Sequence, residues 1–587
     1  MNSPLTNPFV ADGAAFSSTA AHATTPSDAP AVAASGTTSS VSARIAEALA
    51  THVSEVFGVM GNGNAYFVDA LTRTTARYTA VRHETATVAA ADAYFRASGR
   101  IAAATTTYGA GFTNAATSLA EAAQARIPLV LVVGDAPGDG LRPWDIEQTS
   151  FAASLGVPTI VVSAADAAHQ TVRAIERALA RRSPVVLAIP YDLAAAPSTE
   201  APLSEAESEL QIPPLVRPDF VDTDAAAATL AAAQRPIILA GRGAWLAAAG
   251  PALSRLADLT GAVTASTALA RGIFTRSQFD LGVTGGFGQH EAMELFGTAD
   301  VVLVVGAGLN QFTLQFGSLI KPGTTVIRID DEERSHPLVT QFVRGDARLA
   351  VDAIADRIEQ LRVTPSGWRE SVTGLADGTL SKRASGETTL PDGLLDPRLV
   401  AERLATLLPK NRVVVSDGGH FLGWANMYWP IAAPNRMLMV GTAFQSIGLG
   451  FPSAIGAARA LPDSTLVVTT GDGGGLMALA DLDSVIRTAK RAVIVVWNDA
   501  VYGAEVHVYG RLGLEQEPMR IEQADFAALG RALGAHGSVI RSLDDFAEFE
   551  YWLADAASGT FVLDCRVSPT VVAPYQEEIY EVNARKR

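Results

Sequence analysis

The chain has 587 residues, enough for roughly three or four domains at ~150 residues each, and its 61 Asp and Glu against 45 Lys and Arg leave a net charge of −16. That acidic balance, with no basic block before the terminal Arg585-Lys586-Arg587, argues against a nucleic-acid partner or a polybasic membrane anchor. The single cysteine, Cys565, rules out an intramolecular disulfide framework and a multi-cysteine metal centre, and no run approaches the roughly 18 apolar residues of a membrane span.

Residues 1–40, rich in Ala, Ser, Thr and Pro and without periodicity, are expected to form a disordered extension. They lack the basic start and apolar run of a secretory signal, so a cytoplasmic protein is expected. From Val41 onward, short apolar runs alternate with Ala-rich helical stretches. Val56–Met60, Ala102–Thr107, Leu129–Val133, Thr159–Val162 and Pro184–Ile189 read as buried strands of a first unit, residues 41–193. A linker containing Pro and Glu covers 194–217. Pro236–Ala240, Val301–Val305 and Thr325–Ile329 mark a second unit, 218–362, and a polar Gly-, Ser- and Thr-rich stretch, 363–397, is a second linker. The third unit takes 398–570 and leaves 571–587 as a C-terminal tail. Such alternation predicts the α/β class, with three parallel sheets each covered on both faces by helices. In the second unit Gly241-Arg242-Gly243-Ala244 is a glycine turn but not a GxGxxG fingerprint, so a Rossmann-like scaffold is the reading there. Cys565 sits in the apolar run Thr560–Val567 and reads as a buried strand thiol.

The third unit carries the most chemistry. Gly471-Asp472-Gly473 follows the strand Thr465–Thr470, and a helix with Leu476, Leu479, Leu482, Val485 and Ile486 at helical spacing comes next. The strand Ala492–Trp497 then delivers Asn498. A right-handed strand–helix–strand unit places Asp472 and Asn498 together at the carboxyl ends of neighbouring strands, where open α/β sheets bind ligands. A carboxylate, an amide oxygen and backbone carbonyls suit a hard cation such as Mg²⁺. Gly473, Gly474 and Gly475 let main-chain N–H groups approach an anion at a helix start. The combination reads as a Mg²⁺–diphosphate site; an ordinary turn is the alternative for Gly471-Asp472-Gly473 taken alone.

The spacing of Gly471-Asp472-Gly473 and Asn498-Asp499 resembles the signature of thiamine diphosphate enzymes such as acetolactate synthase, pyruvate decarboxylase and benzoylformate decarboxylase. The resemblance extends over nearly everything from Val41, and it implies the order pyrimidine-binding, central, diphosphate-binding for the three units. It assigns Mg²⁺ to Asp472, Asn498 and the backbone of Ala500, and the cofactor's diphosphate end to Gly471, Asp472, Gly473, Gly474, Asn498, Tyr502 and Gly503, with Gly418, Gly419 and His420 touching it from the other side. Phe444-Gln445-Ser446-Ile447-Gly448 is similar to the loop that bends the cofactor, with Ile447 as the wedge beside Gln445 and Ser446. Arg82-His83-Glu84 is similar to the family's Arg-His-Glu motif, so Glu84 is the expected partner of the pyrimidine ring; as a lone residue it is equally a helix-start glutamate.

Because Glu84 and Asp472 lie in different units, the resemblance implies a homodimer as the minimum and a homotetramer as the common assembly. Glu505 is either a proton relay or an exposed helix-start carboxylate. Decarboxylases of this kind carry an Asp in the first loop and a His-His pair later; here Gly61-Asn62-Gly63-Asn64 and Arg142–Gln148 hold neither. Asn62 hydrogen-bonds but is no acid–base group at neutral pH. The expected activity is therefore decarboxylation of a 2-oxo acid followed by addition of the C2 carbanion-enamine to a second carbonyl, with Asn62, Gln148 and Phe112 on the substrate wall. The alternatives are a non-ligating decarboxylase, an acyloin or diketone lyase, or a catalytically silent regulatory relative. FAD in the central unit is possible within the resemblance but no residue supports it.

Overall fold

The computed structural model describes residues 39–274, 278–333, 336–555 and 558–585; all but the last two residues of the expected extension 1–40 lie outside these. Three six-stranded sheets follow one another, every pairing parallel. The first comprises β1 (Glu55–Gly58), β2 (Arg77–Ala80), β3 (Ala102–Thr106), β4 (Leu129–Asp135), β5 (Thr159–Val161) and β6 (Val185–Pro190), in the order β2-β1-β3-β4-β6-β5. The second comprises β7 (Pro236–Ala240), β8 (Val263–Ser266), β9 (Asp280–Val283), β10 (Val301–Val305), β11 (Thr325–Asp330) and β12 (Gln341–Arg344), ordered β12-β11-β10-β7-β8-β9. The third comprises β13 (Arg412–Ser416), β14 (Met437–Met439), β15 (Thr465–Gly471), β16 (Arg491–Asn498), β17 (His536–Ile540) and β18 (Gly559–Arg566), ordered β14-β13-β15-β16-β18-β17.

The first and third sheets share one topology, while the middle sheet has the doubly wound order of a Rossmann fold. Strands predicted from apolar runs are mostly central and buried on both faces, as β4 and β16 are, whereas the predicted β5 is a half-exposed edge strand. The unpredicted β2 is a polar edge strand, Arg-Tyr-Thr-Ala, whose residues are largely exposed and so leave no apolar run to read.

The first and third units share one core. Helix Glu84–Ser98 lies against helix Gly450–Ala460, and alanines 86, 89, 90 and 93 meet Ala454 and Ala457 in the same buried cluster. The backbones nearly touch: a Cβ on Gly456 would stand 1.8 Å from the Ala90 carbonyl oxygen. Polar ties flank this contact. Arg459 donates to both oxygens of Glu55 at 3.1 and 3.2 Å, and the Arg82 N–H donates to Asp481 at 2.9 Å. Three arginines converge on the carboxyl end of helix Leu422–Tyr428: Arg271 donates to the Trp429 carbonyl at 2.6 Å, Arg383 to Met427 at 2.9 Å and Arg412 to Pro430 at 2.7 Å. Positive charge at a helix C-terminus is favourable, and here it fixes the helix that follows the Gly418–His420 loop. Residues 571–587, set aside in sequence as a tail, carry the helix Pro574–Arg585. Gly456→Val is expected to force the two helices apart, at an overpacking cost of about 1–3 kcal/mol or more, and a thermal melt showing no loss of stability would contradict this packing.

Candidate active site

The carboxyl ends of β13, β15 and β16 form one floor. Gly471 pairs in register with Trp497, so Asp472 and Asn498 emerge side by side. Asp472 is buried; its Oδ1 accepts from the Gly473 N–H and its Oδ2 from the Ala500 N–H, both at 2.9 Å. Asn498 is also buried, and its Nδ2 donates to Asp564 at 2.9 Å and to the Ala524 carbonyl at 3.0 Å. Its Oδ1 has no partner. Ala500 holds a left-handed conformation (φ 59°) and its carbonyl accepts from Ile521 at 2.9 Å, which leaves one lone pair. Burial raises the pKa of Asp472 to about 6. Burial, and then the neighbouring Asp472, raises that of Asp499 to about 8. Among the described residues no group of three or more His, Cys, Asp or Glu side chains is arranged to hold a metal, so a cation at this floor would need amide and backbone oxygens beside a carboxylate.

Glycine is required on the rim. A Cβ on Gly474 would come within 2.8 Å of an Asp417 oxygen, and one on Gly473 within 2.8 Å of the Tyr502 ring. Asp417, a residue sequence reasoning gave no separate role, organises the loop above. Its buried carboxylate accepts from Gly418, Gly448 and Leu449 N–H groups at 2.8, 3.1 and 3.1 Å and from the Thr470 hydroxyl at 3.2 Å. Burial lifts its pKa to about 6 despite these donors. The turn so held includes Gln445 at φ 59° and leaves Phe444 and Ile447 exposed.

His420 is buried, and its Nε2 accepts the Ala573 N–H at 2.9 Å. Burial and the adjacent His507 ring, 4.5 Å away, push its pKa down to about 3. The ring is therefore neutral with its proton on Nδ1, the nitrogen that faces Gly503. The Tyr575 hydroxyl donates to the His420 carbonyl at 2.7 Å, so the C-terminal segment braces this loop. Gly418, Gly419, His420, Ile447, Asp472–Gly474, Asp499, Tyr502, Gly503 and Glu505 border one groove. Half-buried Glu505 also borders a cavity of about 1050 Å³ that runs past Gln445 and Ser446 to Arg242 and Asp330 of the middle unit.

The first unit contributes nothing to that groove within one chain. Glu84 begins helix Glu84–Ser98 behind the His83 cap, and its Oε2 accepts from the Asn114 amide at 3.0 Å. Asn62 donates to the Tyr108 hydroxyl at 2.9 Å. Two expected wall residues stand elsewhere. Gln148 is buried with both ends of its amide used: Oε1 accepts from Gly109 at 2.6 Å, and Nε2 donates to the Gly134 carbonyl at 2.8 Å and to Asp135 at 3.1 Å. It supports the Gly109 turn from beneath. Phe112 is core, edge-on to Phe151 at 5.9 Å. Asp417→Ala would strand several buried donors at once, each costing about 1–3 kcal/mol; a stability loss of that order is expected in urea unfolding, and near-neutrality would show that the loop does not depend on this carboxylate.

Comparison with known proteins identifies the three units. Residues 39–155 match the N-terminal TPP binding domain of thiamine pyrophosphate enzymes, 223–354 the central domain and 417–565 the C-terminal TPP binding domain. A sulfoacetaldehyde acetyltransferase of Castellaniella defragrans is 28% identical over 85% of this chain and 87% of its own length. The acetolactate synthase isozyme 3 large subunit of Escherichia coli is 28% identical over 77% and 80%. A probable 2-ketoarginine decarboxylase of Pseudomonas aeruginosa is 28% identical over 85% and 88%. With two TPP-binding units flanking a Rossmann-like centre in the order the three matches require, the chain belongs to the thiamine pyrophosphate enzyme family.

Proposed function

We propose that the protein is a thiamine diphosphate- and Mg²⁺-dependent carboligase, which decarboxylates a 2-oxo acid such as pyruvate and joins the two-carbon unit to a second carbonyl, as an acetolactate synthase does. The donor set fits the cation in kind: Asp472, the orphaned Asn498 Oδ1 and the Ala500 carbonyl are hard oxygens carried at the ends of neighbouring strands. The Gly473 and Gly474 backbone and the Nδ1–H of neutral His420 are suited to the diphosphate. When bound, thiamine diphosphate supplies an acidic carbon that serves as nucleophile and electron sink. Glu84, oriented by Asn114, is the group proposed to hold the pyrimidine ring, and Ile447 the apolar support beneath the rings.

A groove lacking any residue of the first unit is half a site. We take Glu84 of the partner subunit to complete it, in a homodimer or a tetramer of two such pairs. Exposed apolar side chains support the assembly: Phe444, Ile447, Leu476 and Met477 beside the groove, and Met60, Tyr66, Leu141 and Trp144 on the first unit.

The observation that carries carboligation is the Asn62–Tyr108 pair. Where a releasing decarboxylase has a carboxylic acid, this chain offers a neutral amide occupied by a phenol, and no histidine pair follows. Without proton donors at these positions, release of a free aldehyde would be disfavoured relative to transfer to a second carbonyl. Two of the relatives above are named for acetyl transfer or acetolactate synthesis. With pyruvate, the expected products are acetolactate or acetoin, lost in Glu84→Gln; free acetaldehyde alone would overturn the carboligase reading.

The cation reading has a pH signature. Asp472 must ionise to bind Mg²⁺, so affinity should fall about tenfold per pH unit below the pKa of about 6. Asp499, protonated at pH 7 with its pKa near 8, should release a proton as the cation arrives. Because both folded-state values are raised, their contribution to stability of the metal-free protein is fully present below the usual carboxylate pKa. It is lost as pH rises through about 6 and 8. Calorimetry in two buffers of different ionisation heat tests this; metal binding without proton release at pH 7 would contradict it.

A further inference from the structure

An asparagine can present either end of its amide, and which end faces a cation decides whether it is a ligand at all. Around Asn498 the choice is made by a residue to which sequence analysis gave no role. Asp564 stands near the end of β18, beside β16, level with Val496 and fully buried. One of its oxygens accepts from Asn498 Nδ2 at 2.9 Å. The other accepts from the Phe526 N–H at 3.0 Å and from Arg566 Nη2 at 2.7 Å. The Ala524 carbonyl is shared in the same way, accepting from Asn498 Nδ2 and Arg566 Nη2, both at 3.0 Å. Both protons of the Asn498 amide nitrogen are thus taken by acceptors behind the floor. Turning the amide over would set its oxygen 2.9 Å from a carboxylate oxygen and 3.0 Å from a carbonyl, with no proton between them. The outcome is the unpartnered, buried Oδ1 on the opposite side.

We propose that Asp564 is a positioning residue for the cation site: by accepting from Asn498 Nδ2 it locks the amide with its oxygen toward Asp472. Arg566 serves as its counter-charge, which keeps a carboxylate tolerable at that depth and holds it in one orientation. The inference rests on the cation reading given above.

The test uses the full chain with thiamine diphosphate and Mn²⁺ as the probe, free Mn²⁺ being followed by electron paramagnetic resonance. Asp564→Asn, whose amide can turn a donor toward Asn498, is expected to weaken Mn²⁺ binding by about 10- to 100-fold, the range typical of partners that orient metal ligands. A melting curve of the same variant separates any cost to the fold. Asp564→Ser, with room for a water, replaces it should Asp564→Asn not fold. The decisive comparison is in an Asn498→Asp background, because a carboxylate has two equivalent oxygens and no orientation to lock. There Asp564→Asn is expected to cost no further affinity. An unchanged affinity in the single variant, or the same loss in both backgrounds, would overturn the positioning role. If wild-type protein fails to bind Mn²⁺, or Asn498→Ala binds it as wild type does, the cation site itself is wrong.

Discussion

The contact between helices Glu84–Ser98 and Gly450–Ala460 sets the geometry on which the rest depends. Alanines and a glycine bring the two backbones to near contact, so neither helix can slide or roll without a steric clash. The amino ends of these helices carry residues proposed for the site. Glu84 opens one, and the Gln445–Leu449 turn with Ile447 leads into the other. A small-residue packing contact therefore fixes Glu84 relative to the Ile447 of its own chain and, since the proposed assembly assigns these two residues to different sites, sets the spacing between the sites. The Arg82–Asp481 and Arg459–Glu55 ties reinforce the same boundary with directional bonds.

The shared topology of the outer sheets gives this boundary its meaning. In each, the chain runs outward from the first strand to one edge, then crosses back to build the other side, leaving a crevice at the carboxyl ends of the first and third strands. In the third sheet that crevice lies between Asp417 and Asp472; in the first it lies between the Asn62 loop and the Thr107–Gly111 turn. One topology serves two roles because its loops differ: acidic and glycine-rich in one copy, amide- and aromatic-bearing in the other. The middle sheet, of different order, opens on the large cavity instead.

Fold class was legible in the sequence because strands buried on both faces must be apolar throughout, as β16 is. Polar edge strands such as β2 and β12 carry no comparable signal. Asp472 and Asn498 were legible because a register argument places strand ends side by side. For Gln148 and Phe112 residue type does not reveal which neighbours have already claimed a side chain, and within one chain both are buried against such neighbours. Asp417 directly precedes the Gly418–His420 loop, but nothing in that stretch announces its role, because its four donors come from three separate stretches of chain. A signal for Asp564 did exist. A carboxylate and a guanidinium two residues apart inside the apolar run Thr560–Val567 cannot be buried without partners, and that oddity marks a network.

The buried carboxylates of the third unit also separate by what surrounds them. Asp417 and Asp564 are deep but satisfied, the first by backbone and hydroxyl donors, the second by Asn498, Phe526 and Arg566. Asp472 and Asp499 receive only single backbone donors per bonded oxygen and repel one another, and the pKa of Asp499 is pushed up to about 8. Among the described residues no basic side chain lines the groove beside them except the neutral His420. Two carboxyl groups enclosed together without a counter-ion do not both ionise near neutral pH, in a chain that elsewhere matches its buried acids with donors or arginines. The same arrangement is favourable as soon as a divalent cation sits against Asp472, because each carboxylate then faces positive charge and the orphaned Asn498 oxygen gains a partner. The electrostatic imbalance of the floor is thus an argument for its proposed occupant that owes nothing to the glycine motif from which the sequence reading began.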